Sequence, residues 1–369
     1  MRMKTFNAMT SAALLAASLA CGVDHGAQAS APAGTPLGPE VASDANPRAG
    51  YAVAVDVDGS PIVAYVAGGS VLAKKWTGAA WTQMGNALND PSATPLSLAI
   101  AVEADGPTVA WEEQASNTFL VHVSHYGAQT WSARAAQLND ASSPGHGPRL
   151  VATGQGLLAA YYGGSPYNQA VVKRWTGTGW QAFPSTPSLS AAGVAIAALA
   201  DGSPVLSWIY PVSQASGFQW TVGSRAWSAA AAGWTSLPDV KLSSSIDPHL
   251  LVDPAGAIDL IADDRSGTTT DVLHTVAGDS AWTSLGRPDR ALSLNGPIVL
   301  DPSQRLVVAY SAGSQGAIAR REAGGWADVA SVPAPGFAMG SAADGSIYAV
   351  WTDLGNTAPA QPLRAAVWK

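Results

Sequence analysis

The 369 residues are 47% hydrophobic but only 12% charged, about half the charged share usual in soluble domains, which argues against coiled coils and charged disordered tails. With 19 Lys+Arg against 26 Asp+Glu, the formal net charge of −7 is wrong for a nucleic-acid partner. A single Cys excludes a disulfide framework and any thiolate-rich metal site.

The chain opens with two cations, Arg2 and Lys4, followed by a short apolar run over residues 12 to 20. That order is the n-region and h-region of an export signal, too short to remain as a spanning helix. The run ends in Ser18-Leu19-Ala20-Cys21-Gly22, which resembles the lipobox of bacterial lipoproteins. The resemblance implies cleavage before Cys21 and acylation of its thiol, although Ser18 stands where that family usually has Leu. The alternative is an ordinary secretory signal cut near residues 27 to 30, Ala-Gln-Ala-Ser. Residues 1–20 are therefore expected to be a signal peptide and residues 21–34, rich in Gly, Ala, Ser and Pro, a flexible tether.

From residue 35 to residue 369 a repeat organises the sequence. The 38 Gly and 25 Pro predict many turns, and 14 Trp against 5 Phe predict a repeated Trp position. Turn motifs recur at Asp58-Gly59, Asp105-Gly106, Gln155-Gly156, Asp201-Gly202, Gly256, Gln304 and Asp344-Gly345. Their mean spacing is about 48 residues, the size of a four-stranded propeller blade. Trp81, Trp131, Trp180, Trp234, Trp282 and Trp326 follow at a similar phase. In the first unit, Tyr51-Ala52-Val53-Ala54-Val55 predicts an inner strand and Asp58-Gly59 a tight hairpin. Pro61-Ile62-Val63-Ala64-Tyr65 and Val71-Leu72-Ala73-Lys74-Lys75-Trp76 predict the next two strands, and Trp81-Thr82-Gln83-Met84 the outer one. Even strand spacing without helical periodicity predicts an all-β fold, a seven-bladed β-propeller of four-stranded blades.

The seventh unit ends after Trp368 with its outer strand missing. Thr35-Pro36-Leu37-Gly38, followed by Val41-Ala42-Ser43-Asp44, is similar to Thr82-Gln83-Met84-Gly85, followed by Leu88-Asn89-Asp90. Residues near 35 to 42 are thus expected to complete the last blade and close the ring, which removes an exposed sheet edge. The segments Asp58-Gly59-Ser60-Pro61-Ile62-Val63-Ala64-Tyr65 and Val171-Val172-Lys173-Arg174-Trp175 resemble the Trp-rich propeller repeats of exported bacterial proteins and lipoproteins. More distantly, the Trp-Gly-Trp turns resemble those of propeller lectins. The Ser-x-Asp-x-Gly-x-x-Trp box of sialidases is absent in full form, so no sialidase residue is carried over.

Departures from the repeat mark the candidate site, because function tends to violate local consistency. The second strand normally ends in an aromatic, as at Tyr65, Trp111, Tyr161, Trp208, Tyr310 and Trp351; the fifth unit reads Ala262-Asp263-Asp264-Arg265 instead. Trp111 is followed by Glu112-Glu113 and Trp351 by Thr352-Asp353. Glu112, Glu113, Asp263, Asp264, Arg265 and Asp353 are the candidate ligand-binding residues, on the funnel side of the ring. Paired carboxylates there suit glycosidase chemistry, a cation or a basic ligand; the competing reading is solvated loop ends, with Arg265 pairing its neighbours. The repeated Trp suit either sugar stacking or inter-blade packing. Asp56 with Asp58, and Glu103 with Asp105, lack the ligand set of a calcium loop and read as turn geometry. His146 with Arg149, and Asp247 with His249, are possible ligand contacts or ordinary loop composition. His122 and His125, three apart in a strand, point to opposite faces.

The expectation is an exported monomer, lipid-anchored to the bacterial cell envelope through Cys21 or secreted if Cys21 is not acylated. It acts as a surface binding or scaffolding propeller for a glycan or protein partner. No catalytic residue, cofactor or metal site is assigned, and no contact with nucleic acid. The rival reading is a propeller glycosidase or polysaccharide lyase using the funnel-side carboxylates.

Overall fold

A computed structural model describes residues 32–90, 92–115, 118–135, 137–164, 168–184, 190–214, 217–242, 247–262, 271–294, 296–353 and 360–369. Among these residues, strands account for every regular element except one three-residue 3-10 turn, Pro47–Ala49. Each repeat unit is an antiparallel meander. The second unit, for example, runs Thr94–Glu103, Gly106–Ala115, Thr118–Gly127 and Thr130–Ala133, in that spatial order.

The hairpins form where the sequence places Asp before Gly. Gly59, Gly202 and Gly345 have φ of 82°, 79° and 92°, a region open to Gly at no steric cost. The preceding Asp side chains accept the backbone N–H two residues on, at Ser60, Ser203 and Ser346, at 2.8–2.9 Å. The turn acids thus satisfy backbone donors, the geometric reading of these motifs.

The first strands of successive units touch in order around an axis: Tyr51–Val55, Thr94–Glu103, Gly145–Thr153, Gly193–Ala198, His249–Val252, Ile298–Leu300 and Phe337–Ser341, which returns to Tyr51–Val55. The sheets therefore stand as blades of a propeller ring. The apolar core lies between neighbouring blades, as where Ala110 and Val121 of the second unit meet Leu157, Ala159 and Tyr161 of the third.

The blade count departs from the expected seven. Five blades stand as separate sheets, four with four strands and one with a fifth strand, Val240–Leu242, added beside Gly217–Ser228. The first and last repeat units instead share one nine-stranded sheet. The cause is the strand Ala42–Ala45, which pairs on one side with the C-terminal strand, Ala42 opposite Leu363 and Ala45 opposite Gln361. On its other side Ala45 pairs with Ala67. Ala42 and Ala45 are both buried, small enough to fill the seam.

The N-terminal segment pairs with the chain's last strand as expected, Thr35 opposite Val367 and Pro36 opposite Ala366. Leu37 N–H donates to the Ala365 carbonyl at 2.9 Å and Val41 N–H to Leu363 at 2.6 Å. Contact with the ring begins before the expected boundary at residue 35: Trp368 Nε1 donates to the Pro32 carbonyl at 3.0 Å, and Ala33 bridges Ser331.

Five of the six repeated Trp join neighbouring units, while the buried Trp180 Nε1 has no hydrogen-bond partner among the described residues. Trp81, Trp131, Trp234, Trp282 and Trp326 donate Nε1–H to the carbonyls of Leu37, Met84, Pro184, Pro238 and Leu285, at 2.5–3.0 Å. Each acceptor lies just after the outer strand of the preceding unit. This geometry favours packing over sugar stacking for these side chains.

Two outcomes test this description. Trp282→Phe keeps most of the buried area but loses the bond to Pro238, and should cost about 1 kcal/mol in urea unfolding. Removal of residues 22–31 should leave the melting temperature unchanged, whereas removal of residues 22–44 withdraws Leu37 and Val41 from the core. That loss should cost roughly 3–6 kcal/mol and promote association through the bared edge, read by calorimetry and light scattering.

Candidate functional site

At the end of the ring where chains enter the inner strands, a cavity of about 570 Å³ opens on the axis. Its wall comes from six of the repeat units. Leu98, Ile100, Phe337 and Met339 supply apolar surface, and Tyr51, Arg149 and His249 supply polar groups. Tyr51 donates its hydroxyl to the Gly336 carbonyl at 3.0 Å, tying the first unit to the last. Burial pushes the Tyr51 phenol up to about 12, so it stays a neutral donor. Arg149 Nη2 meets Asp247 Oδ2 at 2.8 Å, a link between the third unit and the loop before the fifth. The two sequence pairs His146/Arg149 and Asp247/His249 thus converge: the ion pair joins them, and Arg149 and His249 both face the cavity.

Beside the mouth, between the second and third units, Glu112 is 7% exposed and fully engaged. It accepts Ser97 Oγ at 3.1 Å, pairs with His146 Nδ1 at 2.8 Å and accepts Gly147 N–H at 3.0 Å. A register shift between His146 and Arg149 makes this possible, since a bulge re-aims the side chains around it. His146 sits between Phe119 and Tyr162, with ring centroids 4.5 and 5.3 Å away. Burial works to raise the Glu112 carboxyl, but the His146 and Gly147 bonds outweigh it and hold the group below its usual range.

The other sequence candidates are distributed differently. Glu113 points to the opposite face of its strand from Glu112, accepts Trp111 Nε1 at 3.0 Å and lies 3.7 Å from His122 Nε2, whose ring stacks on Trp111. His125 takes the other side of its strand and meets Thr108 at 3.0 Å. Asp353 receives Arg364 Nε at 2.7 and 2.8 Å, while Arg364 Nη1 donates to the Pro39 carbonyl, so this acid orients an anchor of the N-terminal segment. Asp263, Asp264, Arg265 and Cys21 lie outside the described residues. Among the described residues, no group of three or more His, Cys, Asp or Glu is placed to hold a metal ion.

No protein-family model matches the chain, and no curated protein matches its sequence. In fold it is similar to a mutant Aleuria aurantia lectin in complex with Fucα1-6GlcNAc, at 13% identity over 80% of this chain and 99% of that one, with a TM-score of 0.52. It is similar also to the α-L-arabinofuranosidase of Fusarium graminearum bound to an iminosugar inhibitor, at 12% identity over 92% and 97% of the two chains, TM-score 0.51. A chain of a mitotic checkpoint complex aligns at 11% identity over 98% and 100%, TM-score 0.54. At such identities the likeness is one of fold: the chain is a β-propeller, with a lectin and a glycosidase among its distant structural neighbours.

The Glu112 environment makes a pH prediction. A carboxyl held low in the folded state contributes its full stabilisation above the ordinary Glu value, about 4.3. The contribution is lost as pH falls through the lower folded value. Glu112→Gln should therefore be less stable than the parent by roughly 2 kcal/mol at pH 7, and the two urea midpoints should converge as the pH is lowered below the ordinary Glu value.

Proposed function

We propose that the ring binds a glycan at the mouth of its axial cavity. The observation that carries this reading is the composition of that wall: apolar faces at Leu98, Ile100, Phe337 and Met339 beside the Arg149 guanidinium, the His249 ring and the Tyr51 hydroxyl. A sugar has the matching surface, C–H faces that pack on apolar side chains and hydroxyls that bond to polar ones. The fold's use as a glycan platform in the Aleuria aurantia lectin supports it.

The glycosidase reading draws on the Fusarium graminearum arabinofuranosidase. Such chemistry needs two carboxylates flanking one bond, about 5–9.5 Å apart. Glu112, Glu113, Asp247 and Asp353 are each held by a named partner, and none of the four lines the cavity. That engagement favours binding over hydrolysis.

The nine-stranded sheet is read here as two blades fused along Ala42–Ala45, which makes the ring sevenfold by its inner strands. Export through residues 1–20 and acylation at Cys21 would display the ring on the cell envelope, the tether setting its reach.

Two measurements test this reading. On a glycan array the parent should bind defined glycans without releasing product from the same polysaccharides, and Arg149→Ala should lose at least tenfold in affinity while melting within a few degrees of the parent. Unchanged affinity in that variant removes the mouth as the site, and sugar release would transfer the function to the enzyme class. Cys21→Ser should abolish an acyl mass on the mature protein; a native N-terminus beyond Cys21 excludes the lipid anchor.

A further inference from the structure

On the opposite face of the ring, where the first and second strands of each unit turn, a basic residue recurs at one position of the third strand. In the first, third and sixth units it is Lys75, Arg174 and Arg320, each opposite an apolar residue of the second strand, Ile62, Leu158 and Val307. These cations are spent on turns. Lys75 bonds Asp56 and Asp58, and Arg320 bonds Glu322 at 2.8 Å. Arg174 reaches across to the next unit and donates to the Gly202 carbonyl at 2.6 Å, filling the cleft between the two.

The second, fourth and fifth units depart from this pattern, with His125 opposite Thr108, Ala226 opposite Val205 and, in the fifth, an ionisable residue at both positions. His274 replaces the long cation, and Asp259 replaces the apolar residue opposite it. Asp259 is 2% exposed, and its Oδ1 meets His274 Nδ1 at 2.8 Å. The imidazole is turned inward to this acid, and among the described residues nothing equivalent to Arg174 spans the gap to the sixth unit. A cavity of about 280 Å³ occupies that cleft, lined by His274, Asp259 and Asp253 on one side and by Leu306, Arg305 and Arg321 on the other.

The sixth unit departs from the repeat at the same cavity. Arg321 stands opposite Trp326 where the first four units have Trp76, Tyr126, Trp175 and Trp227 opposite their outer-strand Trp. Its guanidinium lies 5.7 Å over the Trp326 ring and, among the described residues, has no carboxylate partner. Arg305, by contrast, is committed to Asp301 and Glu322, and Asp253 accepts its own turn's Ala257 N–H. The cavity therefore presents the His274 ring and the Arg321 guanidinium to a ligand. With Nδ1 engaged by Asp259, Nε2 is the His274 ring nitrogen left to bond a ligand. Arg321 offers a planar fork of donors suited to a carboxylate.

We propose that this cleft is a second binding site, selective for a small acidic sugar of the uronic acid class: a ligand hydroxyl hydrogen-bonds with His274 Nε2 and the ligand carboxylate accepts from Arg321. The apolar wall at Leu285, Leu300 and Leu306 receives the C–H face of the ring. The proposal rests on this cavity alone and is independent of the axial mouth.

The test is a ligand-observed NMR titration of the full chain with glucuronate, glucose and acetate. Glucuronate should bind saturably and at least tenfold more tightly than glucose, which lacks the carboxylate, or acetate, which lacks the hydroxyls. His274→Ala and Arg321→Gln should each weaken glucuronate at least tenfold. His274→Arg, which restores the side chain of the third unit and refills the cleft, should abolish binding in a ring that melts like the parent. Glucose binding as tightly as glucuronate, full affinity retained in His274→Arg or Arg321→Gln, or no saturable binding at all would overturn the proposal.

Discussion

A ring of sheets is held only if each blade is fastened to the next by something other than the chain that connects them. Here the fastening is the indole N–H of an outer-strand Trp, donated to a carbonyl just past the outer strand of the unit before. Trp suits the position because it joins a large apolar face to one directional donor. The ring face closes the wedge between sheets, and the N–H satisfies a carbonyl that the sheet ladder has left behind. In the first, second, fourth, fifth and sixth units this bond ties the position of the Trp to the end of the preceding outer strand. It also explains why Trp, rather than Phe, dominates the aromatic content.

The same requirement governs closure. Trp81 of the first unit needs a preceding carbonyl, and Leu37 supplies it. The N-terminal segment thus does for the first unit what Met84 does for the second. Gly38 and Gly85 reinforce the equivalence: both have positive φ, 74° and 64°, and a Cβ at either would press on a Trp ring. Closure then overshoots. Having completed the edge of the last unit, the chain runs on as Ala42–Ala45 and joins the first unit too, merging two repeats into one sheet. Asp353 belongs to this closure, since it orients the Arg364 that grips Pro39.

Much of this was legible in the sequence because it is periodic. The Asp-Gly turns, the Trp phase and the match of Thr35-Pro36-Leu37-Gly38 to Thr82-Gln83-Met84-Gly85 are local signals, and they predict the meander, the ring and its N-terminal strand. The merged sheet was not legible, because it depends on a single pairing, Ala45 with Ala67, that no pattern of residues announces. The site was harder for a related reason. Glu112 and Glu113 broke the repeat visibly, yet their partners His146 and Trp111 are set by a bulge and by strand alternation, and those partners bury them. Arg149 and Asp247, 98 positions apart, meet only because the ring brings the third unit and the approach to the fifth together. Asp259 carries a signal of its own, an acid in the second strand where Ile62 and Val307 stand in other units, with His274 opposite it.

These cases share one logic. In a repeat ring most polar side chains are consumed by joining units, so a charge is informative only after its fastening duties are subtracted. The turn acids satisfy hairpin donors, Lys75 and Arg174 hold turns, and Arg364 holds the N-terminal segment. At two of the cavities among the described residues, fastening does not exhaust the chemistry. At the axial mouth, six units contribute to one wall, and no single inter-unit bond can fill the space between them. In the cleft between the fifth and sixth units the fastening cation is replaced by a short imidazole, and the space it would occupy is left open. The first region follows from ring geometry, which converges inner strands whatever the sequence. The second follows from two substitutions in the repeat that share one cavity, and it is the more specific to this chain.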